Sequence, residues 1–236
     1  MENIFTTLIL QNLPIYISFL FGLTVIATII WFYYVTQSKA FLTISICWVI
    51  LQSIIALFGV YQNTDTLPPR MMVFGILPPL ILIFSSFFTK KGKVFINKID
   101  LQKLTYFHSI RIAVEIILGI LFYYGVVSIY MTFEGTNFDL LSGITAPLIA
   151  YLAFKKGLRN KKLLLFWNSI CLLLLLNVVV TAIFAFPSPF QKLAFDQPNI
   201  AILYFPFNLL PTVVVPVVLF SHLAAIKKLT VKKKTI

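Results

Sequence analysis

Residues 163–186 read LLLFWNSICLLLLLNVVVTAIFAF, an apolar stretch without a charged side chain. A helix that crosses a bilayer needs ~20 mostly apolar residues, so this stretch predicts a transmembrane helix. Similar stretches recur along the chain, and none alternates as a membrane-spanning strand does. The sequence therefore predicts an all-α polytopic membrane protein, a single transmembrane domain over 1–236 with seven transmembrane helices. The predicted spans are 14–36, 40–61, 71–89, 107–131, 137–154, 163–186 and 199–226.

The composition supports this class of protein. Hydrophobic residues make up 60% of the chain and charged residues 11%, whereas charged residues make up roughly 25% of a typical soluble domain. Cys47 and Cys171 both lie in apolar runs, which predicts neither a disulfide framework nor a metal-binding spacing. We therefore expect no cofactor and no metal centre.

Basic residues concentrate on one side of the predicted membrane. Sixteen of the nineteen lie in alternate loops and the C-terminal tail, and by the positive-inside rule that side is cytoplasmic. This predicts a plasma (inner) membrane protein with its N-terminus outside and its C-terminus inside. Anionic headgroups should contact the basic loops, so the net charge of +12 predicts no nucleic-acid partner. The sixteen are Lys39, Lys90, Lys91, Lys93, Lys98, Lys103, Lys155, Lys156, Arg159, Lys161, Lys162, Lys227, Lys228, Lys232, Lys233 and Lys234.

Three short strings recur in the same order, which suggests an internal repeat; the alternative is coincidence among frequent residues. The pairs are LFGLT at 20–24 with LSGIT at 141–145, SIC at 45–47 with SIC at 169–171, and FGILP at 74–78 with FNLLP at 207–211. They predict parallel repeats over 14–89 and 137–226, with 107–131 as the linker helix. This three-plus-one-plus-three plan resembles that of SWEET-like sugar transporters, although their Pro-Gln motifs are absent.

Two strings in the predicted outer loops carry a second resemblance. MTFEG at 131–135 and FDQPN at 195–199 are similar to strings of an uncharacterised bacterial seven-helix membrane family. This resemblance implies a seven-helix fold and no particular activity.

Arg111 and Glu115 are the only formal charges well inside an apolar segment. At ~100° per residue, His108, Arg111, Glu115 and Gly119 share one helix face. Charges in lipid are costly, so this face should point into the bundle, where Gly119 would let another backbone approach. One interpretation is a structural Arg111–Glu115 ion pair, with Arg111 reaching toward the cytoplasmic interface. The other is a substrate or proton site at Glu115.

Further polar residues extend the candidate sites. Asn168, Asn177 and His222 lie in predicted spans and join the substrate or proton site. A predicted outer vestibule consists of Arg70, Glu134, Asp139, Asp196 and Asn199.

Prolines interrupt three of the predicted spans, with Pro147 in the fifth and several in the third and seventh. Pro78 and Pro79 lie within the third span, and Pro206, Pro211 and Pro216 lie within the seventh. Each proline removes a backbone N–H and frees a carbonyl, which at membrane depth must face protein or a water-filled cavity. We expect kinks that serve packing or a helix that moves or lines a cavity.

The function that these features favour is a transporter or permease-like protein for a small solute, proton-coupled through Glu115. Alternatives are a seven-helix ligand-binding receptor or sensor, a lipid-active intramembrane enzyme using His108 and Glu115, and a structural subunit of a membrane complex. The sequence lacks a Gly-x-Ser-x-Gly nucleophile motif and zinc-type histidine spacing, so an enzyme is favoured less. A small molecule or a lipid could be the ligand, and the sequence leaves the oligomeric state open.

Overall fold

The computed structural model describes residues 13–155 and 160–231. Within these ranges the chain forms helices and turns and no strand, so the all-helical prediction is confirmed. The described α-helices are α1 (Ile15–Thr36), α2 (Lys39–Leu57), α3 (Leu77–Phe88), α4 (Lys90–Lys98), α5 (Leu101–Phe107), α6 (Ile110–Tyr123), α7 (Asp139–Phe154), α8 (Lys161–Ala185) and α9 (Val215–Thr230).

Six helical stretches among the described residues are long and apolar enough to cross a membrane. Helix α7, the counterpart of the predicted fifth span, is apolar but has only 16 residues. At 1.5 Å per residue it is about 24 Å long, short of the ~30 Å hydrocarbon core. The chain thus has the helices of a multi-pass membrane protein. The six stretches are Ile15–Thr36, Lys39–Leu57, Met71–Phe88, Leu101–Tyr123, Lys161–Ala185 and Leu210–Thr230.

Two predicted boundaries were wrong. The span predicted at 107–131 begins at Leu101 and ends at Tyr123, just before Gly125 adopts a φ of 76°. The span predicted at 199–226 begins only at Leu210, because the preceding segment is rich in proline and forms loops and a short turn.

Helix α4 was not predicted, because its lysine-rich sequence was assigned to a loop. The Thr89 side chain accepts a hydrogen bond from the Gly92 N–H and caps its first turn. Phe95 stacks on Phe220 of α9, with ring centroids 5.8 Å apart, and Ile96 is buried. The apolar face of α4 therefore packs on the bundle while its lysines are exposed.

The fourth and seventh spans occupy the centre of the bundle. In the most apolar windows of Leu101–Tyr123 and Leu210–Thr230, 61% and 67% of residues are buried, against 17% for both Lys39–Leu57 and Met71–Phe88. The second and third spans lie at the periphery and expose apolar side chains, as lipid-facing helices do.

The predicted orientation and the predicted internal repeat stay predictions. Several of the basic residues used to predict the orientation lie outside the described residues. These are Lys156, Arg159, Lys232, Lys233 and Lys234.

Candidate functional site

A buried ion pair joins α6 to α7. The Nε atom of Arg111 donates to Oδ2 of Asp139 at 2.5 Å, and Nη2 donates to Oδ1. Both residues are buried, with 2% and 5% of their surfaces exposed. This bidentate arrangement is the strong form of an arginine–carboxylate contact.

The interpretation that pairs Arg111 with Glu115 as a structural ion pair is therefore wrong. The sequence suggested Glu115 on the same helix, but arginine preceding glutamate by four residues is the weaker order for an intrahelical pair. The first turn of α7 instead brings Asp139 to the guanidinium, so Arg111 is held in the bundle interior and does not reach for the interface.

Gly143 allows α7 to approach α6 at this level. It lies one turn after Asp139, and a Cβ atom there would be 2.9 Å from Cγ1 of Ile112 and 3.1 Å from its backbone nitrogen. The predicted close approach at Gly119 is wrong, because a Cβ atom at Gly119 would meet no atom within 4 Å. The small residue that the packing requires is thus on α7.

His222 extends the network to α9 and α8. Arg111 Nη1 lies 2.9 Å from His222 Nε2, and because a guanidinium only donates, Nε2 accepts. The ring proton is therefore on Nδ1, which donates to Asn168 Oδ1 at 3.0 Å. Asn168 in turn donates from Nδ2 to the Leu164 carbonyl at 2.8 Å. His222 is consequently neutral, with its tautomer fixed from both sides.

His108 lies against this network without a hydrogen bond of its own. Its ring stacks on His222 with centroids 4.0 Å apart and an 18° interplanar angle, and the Trp167 ring meets it edge-on at 5.4 Å. It is fully buried, and neither ring nitrogen has a partner within the described part of the chain. A buried polar group in this state is costly, so His108 is a candidate for a transient bond to water, a proton or a ligand.

Glu115 joins the network through Asn137. The Asn137 Nδ2 atom lies 2.9 and 2.7 Å from the two Glu115 oxygens and 2.9 Å from the Met131 carbonyl oxygen. The Asp139 backbone N–H donates to Asn137 Oδ1 at 2.9 Å. One amide thus connects Glu115 to the start of α7. We call the whole set the buried polar network: His108, Arg111, Glu115, Asn137, Asp139, Asn168 and His222.

A family model matches residues 68–230, well over half of the chain. The chain belongs to the family described as Domain of unknown function (DUF8737). Every member of the buried polar network lies inside the matched region. No curated protein and no solved structure matches the chain.

In this DUF8737 protein, five of the six residues predicted for the substrate or proton site come together. His108, Arg111, Glu115, Asn168 and His222 all belong to the buried polar network. Asn177 does not belong to it. Its side chain is exposed and donates to the Thr136 carbonyl oxygen at 2.8 Å.

Sequence reasoning missed two residues of the network. Asn137 and Asp139 lie at a predicted loop–helix boundary, and Asp139 was assigned to the outer vestibule. The structure places Asp139 on Arg111 instead, with 5% of its surface exposed. The sequence signal for it was the positive charge of Arg111, which requires a carboxylate partner when buried, but Glu115 on the same helix was the nearer candidate in the sequence.

The remaining vestibule residues are dispersed. A cleft of about 500 Å³ lies between the loop at 128–130 and the loop at 192–197, and Asp196 lines it. Asn199 is buried, where its Oδ1 accepts from the Ser128 N–H at 2.9 Å. Neither Arg70 nor Glu134 lines this cleft, and Glu134 is exposed.

The described residues contain no group of three or more His, Cys, Asp or Glu side chains placed to hold a metal ion. Two histidines stacked face to face, with one Nε2 bound by Arg111, do not present converging lone pairs. The chemistry that the network offers is therefore proton exchange and hydrogen bonding.

Proposed function

We propose that this protein is a multi-pass membrane transporter for a small solute, in which Glu115 binds a proton during the transport cycle. The observation that carries the proposal is the charge count of the buried polar network. It contains one cation, Arg111, and two carboxyl groups, Asp139 and Glu115, while His222 is neutral by its hydrogen bonds.

The Arg111–Asp139 pair is electrically neutral in itself. An ionised Glu115 would leave one uncompensated negative charge in the bundle interior, where its contact is the neutral Asn137 amide. Such a charge is costly in a membrane protein, and neutralisation by a proton removes the cost. In the proposal, Glu115 therefore carries a proton in this conformation and releases it elsewhere in the transport cycle.

Loss of that proton would alter hydrogen bonds beyond Glu115. The Asn137 side chain donates to Glu115 and to the Met131 carbonyl, and it accepts from the Asp139 N–H. A change in the charge of Glu115 thus alters contacts on the 129–131 turn and on the first turn of α7. Chains of acidic and histidine side chains inside the bilayer are typical of proton relays in pumps and transporters.

The cellular setting of the proposal is the inner membrane of a bacterium, with the N-terminus outside. The exposed lysines of α4, together with Lys39 and Lys227, would face the anionic headgroups of the cytoplasmic leaflet.

The first test is an infrared titration of the purified protein in lipid nanodiscs. We expect a protonated carboxylic acid band at neutral pH that is absent from the Glu115→Gln variant. Glu134→Gln is the matched control, because it removes an exposed carboxyl group and should leave the band unchanged.

The second test uses proteoliposomes that contain a pH-sensitive dye. Solutes of different classes, such as sugars, amino acids and organic cations, are added outside, and we expect one class to drive a proton flux that Glu115→Gln abolishes. The proposal is contradicted if the Glu115→Gln variant shows the same carboxylic acid band and the same solute-driven proton flux as the wild type.

A further inference from the structure

In each of two spans, a proline removes the α-helical hydrogen-bond donor of one backbone carbonyl. In the third span a π-helical turn, Met71–Ile76, precedes α3, and in the seventh span a π-helical turn, Leu210–Val214, precedes α9. The Phe74 carbonyl would bond to residue 78 in an α-helix or 79 in a π-helix, and both are prolines. The α-helical donor for the Thr212 carbonyl would be Pro216.

Side chains of one helix, α2, donate to both of these carbonyls. Gln52 Nε2 donates to the Phe74 oxygen at 3.0 Å, and Trp48 Nε1 donates to the Thr212 oxygen at 2.9 Å. Trp48 and Gln52 are four residues apart and therefore lie on the same face of α2. Side chains from a single turn of one helix thus hydrogen-bond backbone carbonyls at the helix breaks of two different spans.

The two helix breaks also contact each other. A Cβ atom at Gly75 would lie 2.7 Å from Thr212 Cγ2, so only glycine fits the present spacing. Asn208 Nδ2 donates to the Gln52 backbone carbonyl at 3.0 Å, and the Tyr61 hydroxyl donates to Gln52 Oε1. Gln52 is fully buried at the point where α2 and the two helix breaks meet.

Helix α2 lies at the periphery of the bundle. Only 17% of its most apolar window is buried, so much of its surface faces outward. The seventh span, which it contacts through Trp48, also carries His222 of the buried polar network. A change in the contact between α2 and the helix breaks would therefore reach the network along α9.

We propose that Trp48 and Gln52 form a two-point latch that holds the helix breaks of the third and seventh spans together in this conformation. Release of either bond leaves an unsatisfied carbonyl that water or a changed helix geometry must satisfy, and this lets both spans shift. This inference is independent of the solute and of the proton site at Glu115.

The test is hydrogen exchange measured by mass spectrometry on the full-length protein in detergent micelles. Trp48→Phe keeps an aromatic ring and removes the donor, and Gln52→Leu keeps the side-chain size and removes the amide. We expect each variant to raise exchange about five-fold at both 71–77 and 208–215, since one hydrogen bond is lost and the latch couples the two segments.

Trp31→Phe is the matched control. It removes an indole N–H from α1, where the Trp31 ring packs edge-on against Phe107, and should leave exchange at both segments unchanged. If Trp48→Phe affects only 208–215 and Gln52→Leu only 71–77, the side chains are independent caps and the latch is refuted. Unchanged exchange in both variants would refute it as well.

Discussion

Three donors of the Arg111 guanidinium are occupied inside the bundle, two by Asp139 and one by His222. Removing water from a charged group costs several kcal/mol, and a bidentate carboxylate partner is the arrangement that offsets this best. The pair is therefore sensitive to the loss of one member and far less sensitive to the loss of both.

Asp139→Asn should destabilise the folded protein by roughly 3–5 kcal/mol, because it leaves Arg111 buried without a counter-charge. The double variant Arg111→Met with Asp139→Leu should recover much of that loss, since it buries no unpaired charge. Thermal unfolding in detergent, read out by tryptophan fluorescence, compares the two. A double variant less stable than Asp139→Asn would contradict this account.

At the scale of helices, the packing of α6 on α7 depends on Gly143. The atoms that a Cβ would meet are a side-chain carbon and the backbone nitrogen of Ile112, and the backbone cannot move without shifting α6. The separation of these helices also sets the position of Asp139 relative to Arg111, because Asp139 lies one turn before Gly143.

Gly143→Ala should therefore cost about 1–3 kcal/mol of stability through overpacking and should weaken the ion pair. Gly119→Ala is the matched control, because the added methyl group would have no atom within 4 Å and alanine favours a helix. Thermal unfolding of both variants in the same detergent checks the prediction. Equal unfolding temperatures for the two variants would show that the α6–α7 contact tolerates a methyl group.

Apolar length was enough to predict the six long helical stretches, although not all of their boundaries, and periodicity was enough to predict the face shared by His108, Arg111 and Glu115. Neither signal predicted the lysine-rich helix α4. They could not identify the partner of Arg111, because Asp139 is 28 residues away and its position depends on how α7 packs on α6. The prolines indicated which spans are broken. They could not indicate that Trp48 and Gln52 satisfy the freed carbonyls, since that depends on where α2 lies in the bundle.

For the molecule as a whole, charge is concentrated where helices end. Lys228 of α9 donates to the Asn97 carbonyl at 2.8 Å, which places the end of α4 beside the end of α9. Exposed lysines also lie on α4 and next to the ends of other helices, and Asp100, which caps the start of α5, is an exposed acid. The exposed lysines on the predicted cytoplasmic side are Lys39, Lys90, Lys91, Lys93, Lys98, Lys155, Lys161, Lys162 and Lys227, while Lys192 is exposed on the opposite predicted side.

This distribution predicts that the C-terminus faces the cytoplasm, because loops rich in lysine and arginine are retained there during insertion. A fluorescent protein fused to the C-terminus should fluoresce, and a phosphatase that folds only outside the cytoplasm should be inactive at the same position. Replacing the four lysines of α4 with glutamine should weaken the bias and give a mixed orientation. Replacing Arg70 and Lys192 should leave it unchanged, since both lie on the opposite predicted side. An active phosphatase on the wild-type C-terminus would contradict this prediction. The orientation would then be the opposite one, with Asp139 in the cytoplasmic half of the bundle.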